Sequence, residues 1–253
     1  MMNQNIVITM AGRGSRFYEA GYTVPKYEIM AHGYSLFYWS MLSLKNFLSP
    51  DTRLIFVCLA ENHSADYVQT QCHTLGLNDV HIVELAEITD GQATSAYVSR
   101  DLWLSDAHLL LYNIDTYVNP FALHPALIRP DSDGWIPCFR MPGDHWSFVK
   151  LGEEEWATEV TEKKRISDYA SIGLYWFARS SDFVSAYEAF FSNPANLVRG
   201  ERYVAPLYNQ LILNGKKVSI ADLPVSDVHV LGTPHELNEF LKEDISSRSI
   251  IYS

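Results

Sequence analysis

The N-terminal stretch Ile6-Val7-Ile8-Thr9-Met10-Ala11-Gly12-Arg13-Gly14-Ser15-Arg16-Phe17, followed by Pro25-Lys26, gathers the residue types that hold phosphate. An apolar run ends in a tight glycine turn. Glycines there leave backbone N–H groups bare, so the amides around Gly12, Gly14 and Ser15, entered through Ala11, can cradle an anion. Arg16 adds a planar fork of donors and Lys26 a point charge, the two ways a protein grips phosphate oxygens. The set points to a polyphosphate and hence to nucleoside triphosphate chemistry. A dinucleotide fingerprint would need glycine where Phe17 stands, and a Walker A loop would need Gly-Lys-Ser/Thr, which is absent. The bland reading is an ordinary strand-to-helix turn, and the two cations weigh against it.

Further along, Asp115 follows the apolar run Leu109-Leu110-Leu111. A carboxylate at the end of a strand suits Mg2+, which is held by one or two carboxylates plus substrate phosphates. The competing role is a side chain that starts a turn by bonding its own backbone. Gln92 has an amide that offers a donor and an acceptor to a base edge, or it is a plain helix-surface residue. Tyr175, Trp176 and Trp146 read as core aromatics that can also line an acceptor pocket. The nine histidines are scattered singly, with no pair at zinc-ligand spacing. No Gly-x-Ser-x-Gly elbow suggests a hydrolase.

These groups need a scaffold, and the first half of the chain supplies an alternating one. Strands are expected at Asn5 to Met10, Arg53 to Leu59, Val80 to Leu85 and Ala107 to Asn113. Helices are expected at Leu36 to Phe47 (with Ser35 as N-cap), His63 to Leu75 and Ala93 to Leu102. Such alternation builds right-handed βαβ units on a parallel sheet, with ligands beyond the carboxyl ends of the strands. The glycine turn and Asp115 both fall on that edge. The second half reads as strands at Gly134 to Phe139, Trp146 to Lys150, Glu159 to Glu162 and Ser171 to Phe177. Helices follow at Ser181 to Phe191 and Tyr203 to Leu213, then a last strand at Lys217 to Ile220 and a helix from Pro234 to Leu241. The fold class is α/β: a Rossmann-like, mostly parallel sheet flanked by helices, with a β-rich extension in the second half. One domain, 1–253, is expected, with a nucleotide half at 1–130 and an acceptor half at 131–253.

Bulk properties narrow the class. Of 253 residues, 47% are hydrophobic and only 19% charged, enough for a large core. A formal charge of -11 without a basic cluster argues against nucleic acid as a partner. Three scattered cysteines without a Cys-x-x-Cys pair fit a reducing compartment. No leader and no apolar run of roughly 18 residues is visible. A cytoplasmic protein without a membrane partner is the expectation. A homo-oligomer would use the edge of the second-half sheet or a late helix.

Several segments together carry a resemblance. Gly12-x-Gly14-Ser15-Arg16-Phe17 through Pro25-Lys26 resembles the signature loop of the sugar-phosphate nucleotidyltransferases. Gly91-Gln92-Ala93-Thr94-Ser95 resembles their base-reading loop, and Asn113-Ile114-Asp115 their metal-binding turn. Glu162-Lys163 resembles the Glu-Lys pair of the family. Ser171-Ile172-Gly173-Leu174-Tyr175-Trp176-Phe177 is similar to the strand with a glycine near the acceptor, and Gly232-Thr233-Pro234 to a late Gly-Thr-Pro turn. The order is that of the family over about residues 5 to 240.

The resemblance implies a GT-A-type sheet and a reaction in which an NTP and a phosphorylated acceptor give an NDP-linked product and pyrophosphate. It implies that Arg16 holds the leaving phosphates, Lys26 the α-phosphate and Lys163 the acceptor phosphate. Gly91 and Gln92 would face the base, Glu162, Gly173 and Tyr175 the acceptor, and Asp115 would bind Mg2+. The acceptor is expected to be a sugar 1-phosphate and the product a precursor of capsule or another surface polysaccharide. A cytidylyltransferase acting on phosphocholine or another non-sugar phosphate is the alternative within the fold. A GT-A glycosyltransferase and a non-catalytic nucleotide-binding protein are the others. One departure stands out. The family carries a second aspartate just before the Gly-Thr turn, but Asp227-Val228-His229-Val230-Leu231-Gly232 has an apolar residue there. Asp227 or His229 is the substitute nearest in sequence, unless one carboxylate and the phosphates suffice.

Overall fold

A computed structural model describes residues 3–245. The first half contains β1 (Gln4–Thr9), α1 (Ser15–Glu19), β2 (Met30–Ala31), β3 (Tyr34–Ser35), α2 (Leu36–Ser43), β4 (Thr52–Leu59), α3 (Ala65–Thr74), β5 (Val80–Leu85), α4 (Gln92–Tyr97), β6 (His108–Asn113) and β7 (Thr116–Val118). The second contains β8 (Gly134–Arg140), β9 (Ser147–Leu151), β10 (Ala157–Glu162), β11 (Tyr169–Ser171), β12 (Leu174–Phe177), α5 (Ser180–Phe191), α6 (Tyr208–Leu213), β13 (Val218–Leu223), β14 (Val228–Val230) and α7 (Pro234–Leu241).

The central strand is β1, paired in parallel with β4 on one side and β6 on the other. Its centre, Ile6-Val7-Ile8, is fully buried. Helical layers cover both faces of such a strand, which is why it reads as a continuous apolar run rather than an alternation. The path through the main sheet is β10-β9-β11-β8-β12-β6-β1-β4-β5, with β13 parallel to β8 on its other edge. The β4–β5 pair is also parallel, and β12 runs antiparallel to β6.

The sheet forks next to β6. Strands β11 and β12 lie end to end along β8, interrupted at Ile172-Gly173. The opposite edge of this interrupted strand pairs with β6 along β12 and touches β9 at Ala170↔Phe148 along β11. The single strand expected over Ser171 to Phe177 is therefore two. Gly173, at φ +82, makes the break, a conformation that disfavours any residue with a Cβ. A built Cβ there would fall 2.7 Å from Asn113 Nδ2, so the glycine also admits the Asn113 amide at the crotch of the fork.

Other boundaries shift for local reasons. The helix expected through Phe47 stops at Ser43 and continues as a tight 3-10 turn, Lys45–Phe47. Its N-cap is as expected: the Ser35 hydroxyl accepts the Tyr38 N–H at 3.2 Å. The helix expected from His63 starts at Ala65, because His63 adopts a left-handed φ of +48. The helix expected over Ala93 to Leu102 ends at Tyr97, followed by a 3-10 turn. Pro206 lies in a 3-10 turn, Ala205–Leu207, that delays the start of α6 to Tyr208. The strand expected at Lys217 to Ile220 runs to Leu223 and is not the last, since β14 pairs with β7. The β2–β3 hairpin was not expected; its turn is His32-Gly33, both at positive φ as a two-residue hairpin turn demands. Cys58, Cys72 and Cys138 are free and buried. Among the described residues no helix is long and apolar enough to cross a membrane.

Candidate active site

A cleft of about 630 Å3 opens at the carboxyl ends of β1 and β6 and follows the fork towards β9 and β10. The expected residues Ala11, Gly12, Arg16, Lys26, Gly91, Gln92, Asp115, Glu162, Gly173 and Tyr175 all line it. Gly14, Ser15 and Lys163 do not. Gly14, at φ +64, turns the chain into α1 and accepts the Phe17 N–H at 2.9 Å.

On one wall, Thr9 ends β1 and the Gly12 turn leads to α1, which carries Arg16. The Arg16 guanidinium is exposed and in no ion pair among the described residues. Lys26 comes from a 3-10 turn opened by Pro25. Its ammonium lies 2.6 Å from Asp115 Oδ2, with side-chain exposures of 16% and 23%. The Asp115 loop is fastened at three points. Tyr112 donates to the Thr116 carbonyl at 2.8 Å, Ser40 to the Ile114 carbonyl at 2.9 Å, and the Leu231 N–H to the Asp115 carbonyl at 2.7 Å. Each uses a buried group, so the carboxylate is presented from a rigid loop.

Gln92 opens α4 and turns its amide nitrogen inward, donating to Asn113 Oδ1 at 2.5 Å and Thr9 Oγ1 at 3.2 Å. These bonds tie the ends of β1 and β6 to the helix. Gly91 packs beneath the Arg202 backbone. The Arg202 N–H donates to Asp90 O at 2.6 Å, and the Ala93 N–H donates to Arg202 O at 3.0 Å.

On the opposite wall, Ser147 starts β9, Glu162 ends β10 and Tyr175 lies in β12. The Ser147 hydroxyl donates to Glu162 Oε2 and lies 3.1 Å from the Tyr175 hydroxyl. Burial pushes the Glu162 carboxyl above its usual range, against the pull of the Ser147 hydrogen bond and the Lys163 charge. Lys163 adopts φ +54 and lays its ammonium against the Tyr203 hydroxyl, 4.2 Å from the ring centroid. Tyr203, not Lys163, forms the wall there. Burial and then Glu201 hold its phenol neutral.

The sequence reading missed Thr9, Asn113, Ser147, Glu201, Tyr203, Val230 and Glu236, all of which line the cleft. Asn113 had a signal, since it directly precedes Ile114-Asp115 at the end of an apolar strand. Glu201 and Tyr203 sit in irregular chain between α5 and α6 and had none. Neither proposed substitute for the second aspartate reaches the cleft wall. Asp227 accepts from the Asn119 side chain at 2.8 Å. His229 stacks on Tyr117 and contacts Glu243 at 3.1 Å. Val230 holds the wall position, beside Gly232.

Among the described residues no group of three or more His, Cys, Asp or Glu side chains is placed to hold a metal ion. What exists is a small cradle over Gly232. A Cβ built there would lie 3.3 Å from Asp115 Oδ2 and 3.7 Å from Glu236 Oε2. Two hard oxygens on the wall of the cleft fit a Mg2+ ion that takes its remaining ligands from substrate and water.

No protein-family model matches the sequence, and no curated protein matches it. Among solved structures, the chain resembles a nucleoside-diphosphate-sugar pyrophosphorylase from Vibrio cholerae RC9 with a TM-score of 0.87 and 34% identity. The match covers 94% of this chain and 100% of that one. It shares its fold with an inositol-1-phosphate CTP transferase from T. maritima, at TM-score 0.75 and 18% identity, over 96% of this chain and 98% of that one. A third of the residues and the whole architecture are shared with the first match along its full length, so this protein belongs to the sugar-phosphate nucleotidyltransferases and is a nucleotidyltransferase.

Proposed function

We propose that the protein joins the nucleotidyl group of an NTP to a phosphorylated small molecule, a sugar 1-phosphate, with release of pyrophosphate. The product serves as an activated precursor for a surface polysaccharide. One observation carries the reading: a single cleft has both signature cations and Asp115 on one wall and Glu162, Tyr175 and the Gly173 break on the other.

An acceptor phosphate oxygen attacks the α-phosphorus, and the bond from that phosphorus to the α–β bridging oxygen breaks. Its electron pair leaves with pyrophosphate, so no proton or redox partner is required. The protein aligns two anions and neutralises charge. Arg16 holds the β- and γ-phosphates, because it is exposed at the turn and in no ion pair among the described residues. Lys26, whose ammonium lies 2.6 Å from Asp115 Oδ2, sits at the α-phosphate. Asp115 would hold a Mg2+ ion, which when bound would supply neutralisation of phosphate charge. Lys163 reaches the acceptor phosphate by leaving the Tyr203 phenol. Gly91 and Gln92 face the base, and Glu162 accepts from an acceptor hydroxyl.

A second reading keeps the chemistry and changes the acceptor. Glu162 and Glu201 share their wall with the rings of Trp146, Tyr175 and Tyr203, a setting that suits a positively charged head group such as that of phosphocholine. Pyrophosphate release across a matrix of five NTPs and both acceptor classes decides between them. One productive NTP with a sugar 1-phosphate supports the first reading. Turnover only with a cationic phosphate supports the second, and no pyrophosphate from any pair refutes both.

A further inference from the structure

We propose that Glu236 supplies the second carboxylate for the divalent cation, taking the part that Val230 cannot. The inference rests on the nucleotidyl-transfer reading above.

The place where an acidic residue would stand just before the Gly-Thr turn is filled by Val230, whose side chain has no oxygen to offer. Its neighbours do not compensate, because Asp227 and His229 are engaged with Asn119, Tyr117 and Glu243 away from the cleft. Glu236 enters from another direction. It lies in the first turn of α7, and its carboxylate is aimed by its neighbour Thr233. The Thr233 hydroxyl donates to Glu236 Oε2 at 2.8 Å and accepts the Glu236 N–H at 3.2 Å. This reciprocal arrangement is a capping device, and by itself it would explain the glutamate structurally.

Two further observations point to a cation. First, Gly232 carries no side chain where Asp115 and Glu236 converge, and the space a Cβ would take lies within 3.7 Å of both carboxylate oxygens. Second, that space adjoins a positive charge already drawn to Asp115. The Lys26 ammonium sits 2.6 Å from the same Oδ2 that faces Gly232. Asp115 thus presents to the cleft an oxygen that binds a cation, and Glu236 presents the next one. Mg2+ needs ligands at about 2.0–2.1 Å and keeps several of its waters. Glu236 therefore binds either directly after a small closure of the cradle or through one retained water. The Thr233 hydroxyl holds it in either case.

The test measures metal binding rather than turnover. Mn2+ binding to the protein saturated with a non-hydrolysable NTP analogue is followed by electron paramagnetic resonance. Glu236→Gln keeps the helix cap and removes the charge. It is expected to weaken Mn2+ by about 10- to 100-fold, with the affinity for the metal-free nucleotide unchanged and the melting temperature preserved. Val230→Asp placed in the Glu236→Gln background is expected to restore much of the loss by putting a carboxylate on the same wall. Wild-type Mn2+ affinity in Glu236→Gln would overturn the inference. If Asp115→Asn weakens Mn2+ while Glu236→Gln does not, only Glu236 is misassigned. If the wild-type protein binds no nucleotide at all, the transfer reading itself fails.

Discussion

Two glycines that line the cleft, Gly91 and Gly12, should respond in opposite ways to the same change. Gly91 has φ +140, and a Cβ there would sit 2.4 Å from the Arg202 carbonyl oxygen and 2.6 Å from its nitrogen. Backbone cannot rotate aside as a side chain can. Gly91→Ala must therefore strain its own φ, roughly 1–3 kcal/mol, and loosen the two hydrogen bonds joining this loop to Arg202, about 0.5–1.5 kcal/mol each. The expected loss is roughly 2–6 kcal/mol, which for a chain of this size lowers the melting temperature by roughly 5–20 °C. Gly12 has no positive φ, and a Cβ there meets nothing within 4 Å. Gly12→Ala should melt with the wild type. Its methyl group projects where phosphate must approach the main chain, so NTP affinity should fall by tenfold or more. Differential scanning fluorimetry and nucleotide titration on the two variants provide the readings. A Gly91→Ala protein that melts within 2 °C of wild type, or a Gly12→Ala protein that binds NTP normally, would refute this account of the wall.

Arg16→Ala should leave the melting temperature unchanged, since the side chain is exposed and unpaired, and reduce turnover by about 10²- to 10³-fold; steady-state pyrophosphate release checks both the direction and the size. Lys26→Met should lower stability by roughly 1–2 kcal/mol by leaving Asp115 unpaired in a partly buried place, and Mg2+ should restore more stability to this variant than to wild type in paired thermal melts. Glu162 is an acid whose folded pKa is raised, so its ionised form is the destabilising one. Below its ordinary value of 4.5 the carboxyl is protonated in both folded and unfolded chain and costs nothing, and the penalty develops as pH rises from there through the raised folded pKa. The melting-temperature advantage of Glu162→Gln over wild type should therefore grow from pH 4 towards neutrality, and a pH-independent difference would exclude the burial argument. Gly173→Ala should destabilise through its φ of +82 and its collision with the Asn113 amide; combining it with Asn113→Ala should recover the collision part alone, as a double-mutant cycle will show.

The wall built on β1, the Gly12 turn and Lys26 was legible as structure because its signals are local. An apolar run into glycines, followed by arginine and a Pro-Lys pair, describes a strand, a turn and two cations within about twenty residues. The parallel core followed from the same logic, since strands covered on both faces cannot alternate. The opposite wall, with Glu162, Gly173 and Tyr175, was singled out only through family order. Its geometry comes from the fork at Gly173, and a glycine inside the strand-like stretch Ser171 to Phe177 carries no periodicity signal that distinguishes a weak spot from a break. Glu201 and Tyr203 reach the cleft from irregular chain whose path depends on packing against α4 and α5. Lys163 illustrates the limit most clearly. A charged run fixes the residue type at a turn, but the direction of its side chain is set by Tyr203, forty positions away. Glu236 was hidden for a related reason. Its sequence signature is that of a helix cap, and only the tertiary meeting with Asp115 over Gly232 gives it a second role.

The central claim is that the Gly12 turn, Arg16 and Lys26 receive the triphosphate while Gly91 and Gln92 face the base. A crystal structure with a non-hydrolysable NTP and Mg2+ tests it directly. The account predicts the β- and γ-phosphates within hydrogen-bond distance of Arg16, the α-phosphate beside Lys26, and the ion on Asp115. A triphosphate seated along the Glu162–Tyr203 wall, or outside the cleft, would contradict it.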